Sequence, residues 1–328
     1  MTMMMKAVHF NRFGGPEVLR QVTLPMPALP SGALRVRVRA AGVNFFETLV
    51  RQERYPPAPA LPMVPGVEVA GEVDAVGAGV DAGWIGARVA VPLFALGRPS
   101  GGYAEYVVAE ATSVIRLPAG LAFEDATALM IQGLTAWHLV RQSRPSGKTV
   151  LISAAAGGVG SLLVQLAAAA GAQHIIAVAG SPAKIEAAIA VGAHVGIDHT
   201  RPGWATRLRE SGGSVDLICD TVGGSFTAEA LDALKDGGEL MFAALNRFAL
   251  MPQQLEAMFE KNQLLRGFAL LPLLKPETLA ADLAELFERA ASGMLKLLPA
   301  ERFSLDQAAA AHAAIESRRT RGKVVLVP

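Results

Sequence analysis

The chain has 328 residues, which at roughly 100–200 residues per domain favours two domains. Hydrophobic residues make up 52% of the chain and charged residues 18%, a balance too apolar for a disordered protein. Thirty basic and 29 acidic residues leave a net charge of +1, so we expect no nucleic acid and no anionic membrane as main partner. The single cysteine, Cys219, excludes an internal disulfide and a zinc site built from several cysteines, and it favours a cytoplasmic location.

The first third of the chain is predicted to be β-rich. From residue 6 to about residue 116, short apolar runs are separated by proline and glycine, a pattern typical of short strands joined by turns. In residues 34–39 (LRVRVR), arginines alternate with apolar residues, which predicts a half-buried strand. We therefore expect an irregular barrel or sandwich here.

From about residue 124, apolar strands alternate with helices rich in alanine and leucine. Repeated βα units predict a parallel sheet with helices on both faces, because parallel strands need a crossover between them. After residue 268, the pattern predicts amphipathic helices over 276–291 and 305–316 and a last strand over 323–327. We expect this tail, too small for a domain of its own, to pack onto the N-terminal domain. The predicted fold class is α/β, with a doubly wound Rossmann-like sheet in the middle of the chain.

The strongest local signal is a glycine turn between a strand and a helix. Residues 149–160 (TVLISAAAGGVG) form an apolar run that ends in glycines and is followed by an apolar helix pattern. Gly157 and Gly160 allow the backbone to approach a pyrophosphate, and the helix N-terminus offers N–H groups to it. Ala155 stands where the first glycine of the G-x-G-x-x-G pattern belongs. We predict dinucleotide binding by Ala156, Gly157, Gly158, Val159 and Gly160; a purely structural turn is the alternative.

The end of the second strand of this motif bears on the choice between NADPH and NADH. An NAD site usually carries an acidic residue about 20 residues after the glycines, and here residues 179–181 read AGS. Ser181 begins the next helix, and Lys184 in its first turn places a positive charge suited to a 2′-phosphate. The sequence favours NADPH, and a solvated surface lysine is the alternative.

Several ordered motifs together resemble one family over nearly the whole chain. They are residues 41–48 (AGVNFFET), 65–71 (PGVEVAG), 101–106 (GGYAEY), 133–136 (GLTA), 154–160 (AAAGGVG) and 316–328 (ESRRTRGKVVLVP). In these motifs the chain resembles the medium-chain dehydrogenase/reductase superfamily, and within it the zinc-independent, zeta-crystallin-like quinone oxidoreductase group.

The resemblance implies a domain organisation and an assembly. A GroES-like catalytic domain would comprise residues 1–123 and 267–328, with a Rossmann NADP(H)-binding domain at 124–266 between them, and the protein would be a homodimer. The zinc-dependent branch of the family has a metal-binding cysteine at the position of Asn44 and a histidine at that of Val67. Both ligands are absent, and since a catalytic zinc needs three protein ligands, we expect no metal.

The resemblance also implies residues at the substrate. Asn44 would lie near the substrate and the nicotinamide, where its amide can donate to a carbonyl oxygen; it also suits a helix cap. The family often has two tyrosines after this asparagine, and this chain has Leu49 and Tyr55 there. Tyr55 is either a donor and stacking surface for a flat substrate or an ordinary loop residue. Gln132 is a candidate catalytic residue and Thr135 a candidate nicotinamide contact, although both also suit a helix N-terminus.

Two further residues are implied at the 2′-phosphate. Arg318 would contact it together with Lys184. His199 stands where the family often has a tyrosine, either as its replacement or as a surface histidine. The sequence shows no obvious general acid, which suits quinone reduction because water can protonate the hydroquinone anion.

These observations lead to one main hypothesis of function and two alternatives. The main one is an enzyme that transfers a hydride from NADPH to a quinone, with a small molecule as its substrate. The alternatives are an NADPH-dependent reductase of activated C=C bonds, such as those of an enone, 2-alkenal, haloacrylate or enoyl thioester, and a non-catalytic NADPH-binding protein.

Overall fold

A computed structural model describes residues 3–95 and 100–328. The chain forms two compact units, one of Met1–Ile131 with Leu274–Pro328 and one of Gln132–Leu273. Among the described residues, no helix is long and apolar enough to cross a membrane.

The elements of the described chain are as follows. The strands are β1 (Met4–His9), β2 (Arg20–Pro25), β3 (Ala33–Val43), β4 (Val69–Val76), β5 (Arg88–Val91), β6 (Tyr106–Glu110), β7 (Ile115–Arg116), β8 (Thr149–Ile152), β9 (His174–Ala179), β10 (Val195–Asp198), β11 (Val215–Asp220), β12 (Leu234–Phe242), β13 (Leu264–Gly267), β14 (Glu301–Ser304) and β15 (Val324–Val327). The helices are α1 (Phe45–Arg51), α2 (Phe123–Ala128), α3 (Leu134–Ser143), α4 (Gly158–Ala169), α5 (Pro182–Ala190), α6 (Trp204–Glu210), α7 (Ser225–Ala230), α8 (Pro252–Glu260), α9 (Pro276–Ala291) and α10 (Ala308–Glu316).

The first unit is built on a seven-stranded sheet around the long strand β3. The sheet runs β14-β15-β3-β4-β5-β7, with β6 also paired to β3. Alternation along β3 turns Val36 and Val38 into the core and Arg35 and Arg39 outward, as the sequence pattern predicts. Asp74 on β4 pairs with Arg35 at 2.9 Å, so the outer face is held by ion pairs while the inner face packs the core.

The C-terminal segment completes this sheet. Strand β15 pairs antiparallel with β3, joining Val324 to Val43, and parallel with β14. Helix α9 has the bounds predicted from the sequence. Helix α10 begins at Ala308, three residues later than predicted, because Leu305–Gln307 forms a 3₁₀ turn.

The second unit is a parallel sheet in the order β10-β9-β8-β11-β12-β13. Counted within this unit, the order is 3-2-1-4-5-6, the arrangement of dinucleotide-binding folds, and it confirms the predicted doubly wound sheet. The central strands β8 and β11 are almost fully buried, whereas all four residues of the edge strand β13 are exposed. The order reverses between β8 and β11, which is where such sheets bind their ligands.

Candidate functional site

The turn after β8 leads directly into helix α4 at the carboxyl edge of the sheet. A β-carbon on Gly160 would lie 2.2 Å from the carbonyl oxygen of Ala154, so no larger residue fits there. Ala154 itself has a positive φ of 45°, and Ala155, at the missing glycine position, is fully buried and donates its N–H to the Val178 carbonyl at 3.1 Å. The turn therefore tolerates alanine at 155 because its left-handed residue lies one position earlier. The first N–H groups of α4, which have no partner within the helix, begin at Gly158.

The loop after the neighbouring strand β11 is held by Asp220. This fully buried carboxylate accepts hydrogen bonds from the N–H groups of Val222 at 2.7 Å and Gly223 at 3.0 Å and from the Thr227 hydroxyl at 2.5 Å. The Ser153 hydroxyl accepts from the Thr221 N–H at 2.8 Å and so joins the loops that follow β8 and β11. Asp220 was not predicted from the sequence, in which its only signal is an acidic residue at the end of an apolar strand.

The predicted 2′-phosphate residues of this unit lie around the end of β9. Ser181 is the N-cap of α5, and its hydroxyl accepts from the Lys184 N–H at 3.4 Å. His199 lies beside the same loop, because a β-carbon on Gly180 would be 3.2 Å from its Nε2 atom. The imidazole also meets the Phe226 ring edge-on, with the ring centroids 5.8 Å apart. Ser181, Lys184 and His199 thus border one loop that follows β9.

Gln132 lies against the glycine turn. It belongs to a five-residue π-helical turn, Leu129–Gly133, that precedes α3. A β-carbon on Gly158 would lie 2.2 Å from Oε1, 2.3 Å from Cδ and 2.4 Å from Nε2 of Gln132, so the side-chain amide covers Gly158. Within the described part of the chain, Gln132 Oε1 is a buried acceptor that lacks a hydrogen-bond partner. Thr135 follows in the first turn of α3 and is partly exposed.

In the first unit, Asn44 lies in a buried cluster of charged side chains. Its Nδ2 donates to Glu68 Oε1 at 2.8 Å and to Glu47 Oε2 at 3.2 Å, while its Oδ1 accepts from Lys323 Nζ at 2.8 Å. Lys323 also donates to Glu68, and both of these side chains are fully buried. Glu68 Oε2 accepts from the Ile131 N–H at 2.8 Å. Asn44 is the N-cap of α1, yet its amide hydrogens serve the two carboxylates.

This buried cluster has two carboxylates and one lysine. Burial, and then the nearby Glu68 carboxylate, raise the pKa of Glu47 to about 7, against the hydrogen bonds from Asn44 and the charge of Lys323. Glu47 also accepts from the Gly66 N–H at 2.9 Å. Near neutral pH the cluster therefore gains or loses one proton at Glu47.

A second buried contact lies near this cluster. The Tyr103 hydroxyl and His312 Nε2 are 3.0 Å apart, and both residues are fully buried. Burial and the positive charge of Arg51 lower the pKa of His312 to about 3, so the imidazole is neutral at physiological pH. Burial, followed by the charges of Glu47 and Glu68, raises the pKa of the Tyr103 phenol. The pairing of Tyr103 with His312 on α10 was not predicted from the sequence.

The remaining predicted residues of the first unit are more exposed or lack a polar role. Tyr55 is partly exposed and packs against the Phe46 ring, with centroids 5.6 Å apart. Leu49 is buried within α1. Arg318 is exposed, with a positive φ of 55° just after α10. Across the described ranges, no group of three or more histidine, cysteine, aspartate or glutamate side chains is arranged to hold a metal ion.

Two surface cavities of the second unit lie away from the glycine turn. They have volumes of about 320 and 530 Å³ and share Lys148 and Glu239 in their walls. Lys148 directly precedes β8, whereas the glycine turn follows that strand. Both cavities are thus near the amino ends of the strands, opposite to the edge where parallel sheets of this kind bind ligands.

Comparison with known proteins identifies the family. Residues 30–119 match the model described as an alcohol dehydrogenase GroES-like domain, and residues 191–326 match the model described as a zinc-binding dehydrogenase. The chain is 37% identical to a quinone oxidoreductase of Pseudomonas aeruginosa, over 99% of this chain and 100% of that protein. It is 34% identical to quinone oxidoreductase 1 of Escherichia coli, over 98% of this chain and 99% of the relative.

Solved structures agree with these relatives. The quinone oxidoreductase of Pseudomonas syringae superposes with a TM-score of 0.87 at 35% identity, over 99% of this chain and 100% of that one. The Escherichia coli quinone oxidoreductase complexed with NADPH superposes with a TM-score of 0.87 at 33% identity, over 98% of this chain and 100% of that one. The chain therefore belongs to the zinc-independent quinone oxidoreductase group of the medium-chain dehydrogenase/reductase family.

Proposed function

We propose that this protein is an NADPH-dependent reductase that transfers a hydride to a quinone. The observation that carries the proposal is the turn from β8 into α4, where Gly160 packs on the Ala154 carbonyl at the point at which the strand order reverses. A turn of this shape presents helix N–H groups to a pyrophosphate. The names of the full-length relatives support the quinone, and the Escherichia coli structure with NADPH supports the cofactor.

The cofactor would be held mainly through its phosphates. Residues 156–160 would surround the pyrophosphate, and Ser181, Lys184 and His199 would surround the 2′-phosphate at the end of β9. The N-terminus of α5 adds a favourable partial charge for an anion in this loop. Arg318 is assigned to the same phosphate by the family resemblance. Replacing Lys184 with alanine is expected to weaken NADPH binding while leaving NADH binding unchanged, which fluorescence titration of both cofactors measures.

The chemistry divides between cofactor and protein. When bound, NADPH supplies the hydride, and the protein contributes binding and orientation. Asn44 is proposed to act near the nicotinamide and the substrate. Its amide nitrogen already donates to Glu47 and to Glu68, so a substrate carbonyl could accept from it only if one of these two hydrogen bonds were broken. The bond to Glu47 at 3.2 Å is longer than the bond to Glu68 at 2.8 Å, so it is the one that is easier to exchange. Water supplies the proton that completes the hydroquinone.

The substrate side favours a flat aromatic molecule. Tyr55 and Phe46 present adjoining rings that are only partly buried, a surface on which a quinone can stack. Leu49, the position at which the family often has a tyrosine, is buried in α1 and does not enlarge an apolar surface for an alkene. Replacing Tyr55 with alanine is expected to raise the KM for the quinone. Tyr55→Phe keeps the aromatic ring and is expected to leave that KM unchanged.

The decisive assay follows NADPH oxidation at 340 nm with 9,10-phenanthrenequinone and with 1-penten-3-one in parallel, and with NADH as control. We expect oxidation with the quinone and a preference for NADPH. Turnover of the enone alone would replace the proposal with alkene reduction. Binding of NADPH without turnover of either substrate would favour a non-catalytic role.

We also propose that the protein is a homodimer joined along β13. This strand is the edge of the six-stranded sheet, and its Leu264 and Leu265 side chains are 56% and 38% exposed. Phe259 on the preceding helix α8 is 74% exposed. An exposed apolar edge strand is a template for pairing with a second copy. The cytoplasmic location expected from the sequence stays a prediction.

A further inference from the structure

The larger of the two surface cavities in the second unit carries an excess of positive charge. Its volume of about 530 Å³ lies within the range of roughly 300–1,000 Å³ that is usual for small-molecule sites. Among the described residues of its wall, one is acidic, Glu239, and four are basic: Arg141, Arg144, Lys148 and Arg266. The whole chain has 30 basic and 29 acidic residues, so this excess belongs to the basic cavity and not to the protein surface in general.

Two distant segments of the chain supply the four cations. Arg141 lies in the last turn of α3, Arg144 follows that helix with a positive φ of 47°, and Lys148 precedes β8. Arg266 comes from β13. The end of α3 accounts for only part of this set, because Lys148 Nζ donates to the Ser143 carbonyl at 2.8 Å and so serves the helix C-terminus. The arginines line the cavity in addition.

Contacts within the protein restrain three of these cations. The Arg141 guanidinium lies over the Trp137 ring, with Cζ 5.8 Å from the ring centroid, and Lys148 is held by its bond to the α3 carbonyl. Arg266 Nε is 2.7 Å from Oε1 of Glu239, a buried residue of the adjacent strand β12, so this guanidinium lies over the sheet and not beyond its edge. Side chains that are already restrained lose less conformational entropy when a ligand binds.

The smaller cavity next to it has the opposite charge. It shares Lys148 and Glu239 with the basic cavity, and its wall adds Asp216 and Asp236. Three carboxylates and one lysine repel an anion, whereas three arginines, one lysine and one carboxylate attract it. The amino edge of the sheet is therefore divided by charge, and an anion is directed to the larger cavity alone.

The wall of the basic cavity restricts the chemistry of its ligand. Guanidinium groups match the paired oxygens of a phosphate, and the described wall residues are charged or polar, which suits a compact hydrophilic ligand. Four cations and one carboxylate leave three positive charges in excess. One phosphate carries at most about two negative charges at neutral pH, so two phosphates are needed to balance them.

We propose that the basic cavity at the amino ends of the strands is a binding site for a compact diphosphate, separate from the cofactor site at the carboxyl edge. Lys148 precedes β8 and the glycine turn follows it. The four residues of β8 span about 13 Å at about 3.3 Å per residue, so one small anion does not reach both places. The inference goes beyond the proposed function and does not depend on it.

The test is a calorimetric titration with inorganic pyrophosphate in magnesium-free buffer, with and without saturating NADP⁺. Salt at about 0.15 M limits attraction to charges within about 8 Å. NADP⁺ occupies the glycine turn, which would itself accept a pyrophosphate, so we expect pyrophosphate binding that persists when NADP⁺ is present. Binding that NADP⁺ abolishes would assign the anion to the glycine turn and overturn the inference. If NADP⁺ does not bind, the proposed function fails, and the variants below still decide about the cavity.

Arginine variants locate the bound anion. Arg141→Gln and Arg144→Gln are each expected to weaken pyrophosphate roughly 10-fold or more, the range of a hydrogen bond to a charged group, and to leave NADP⁺ affinity unchanged. The matched control is Arg209→Gln, which removes the same charge from an exposed position on α6 outside both cavity walls. Unchanged pyrophosphate affinity in both cavity variants, or equal weakening in Arg209→Gln, would overturn the inference.

Glu239→Gln provides a change in the opposite direction. It keeps the volume of the side chain but removes the only acidic group of the described wall, so pyrophosphate is expected to bind roughly 3-fold tighter or more. Residues that only stabilise the fold would not produce a gain in affinity. Weaker pyrophosphate binding in Glu239→Gln would count against the site, and melting temperatures without ligand verify that each variant is folded.

Discussion

The buried pair of Lys323 and Glu68 allows a quantitative prediction for Lys323→Met. Both side chains are fully buried, and Lys323 donates to Glu68 and, at 2.8 Å, to Asn44 Oδ1. Methionine keeps the apolar stem but leaves the Glu68 carboxylate without its counter-charge. Breaking a buried pair from one side typically costs 3–5 kcal/mol, so we expect a loss of about 3–5 kcal/mol in the free energy of unfolding at pH 7.

The magnitude is limited by what remains around the carboxylate. Glu68 keeps the hydrogen bonds from Asn44 and Ile131, each at 2.8 Å, and these reduce the cost of the unpaired charge. The double variant Glu68→Gln with Lys323→Met removes both charges and is expected to be more stable than Lys323→Met alone. We therefore expect an interaction energy between Glu68 and Lys323 of about 2 kcal/mol or more.

Urea denaturation of Lys323→Met, of Glu68→Gln and of the double variant at pH 7 measures these differences. The matched control is Lys235→Met, which removes a lysine that pairs with Asp216 at 2.8 Å on the surface, where the two side chains are 44% and 34% exposed. A solvated pair contributes at most about 1 kcal/mol. A loss of stability in Lys323→Met no larger than that in Lys235→Met, or a double variant less stable than Lys323→Met, would contradict this expectation.

Three further predictions concern titration and assembly. The pKa of Glu47 is raised from 4.5 to about 7 on folding, so its contribution to stability is complete below pH 4.5 and is lost as the pH rises to 7. Glu47→Gln should remove this loss of about 3 kcal/mol. If urea titrations showed the same difference in the free energy of unfolding between Glu47→Gln and the unmodified protein at pH 4.5 and at pH 8, the prediction would be contradicted. The pKa of His312 is lowered from 6.5 to about 3, so its contribution to stability is complete above pH 6.5 and falls by roughly 1.4 kcal/mol per pH unit towards pH 3. His312→Gln, which can still hydrogen-bond to the Tyr103 hydroxyl, should remove this decline in acid melting curves, and equal acid sensitivity of the two proteins would disprove the assignment. Leu264→Arg on the exposed edge strand should yield monomers by light scattering, whereas Ile189→Arg, at an apolar site on α5 that is 45% exposed against 56% for Leu264, should not. A dimeric Leu264→Arg protein would exclude β13 as the interface.

The sequence determined those parts of the protein that depend on local patterns. Alternation in residues 34–39 predicts β3, because side chains of a strand point to opposite faces. Helix α9 follows from its apolar periodicity and begins at Pro276, which suits the first turn of a helix. The repeated strands and helices after residue 124 predict the doubly wound sheet, since parallel strands require crossovers. The domain boundaries and the roles of the site residues remain predictions.

The tertiary structure alone decided the polar contacts that join distant parts of the chain. Lys323 meets Glu68 across 255 residues and Asn44 across 279, and Tyr103 meets His312 across 209. No periodicity encodes such pairs, because a polar residue looks the same in a sequence whether its partner is water or a buried side chain. Similarly, the glycine pattern at 157–160 indicates a turn, but only packing places Gln132 over Gly158. Burial converts these ordinary residues into a charged cluster, a neutral imidazole and an unsatisfied acceptor, because the free energy of a polar group depends on the surroundings that the fold creates.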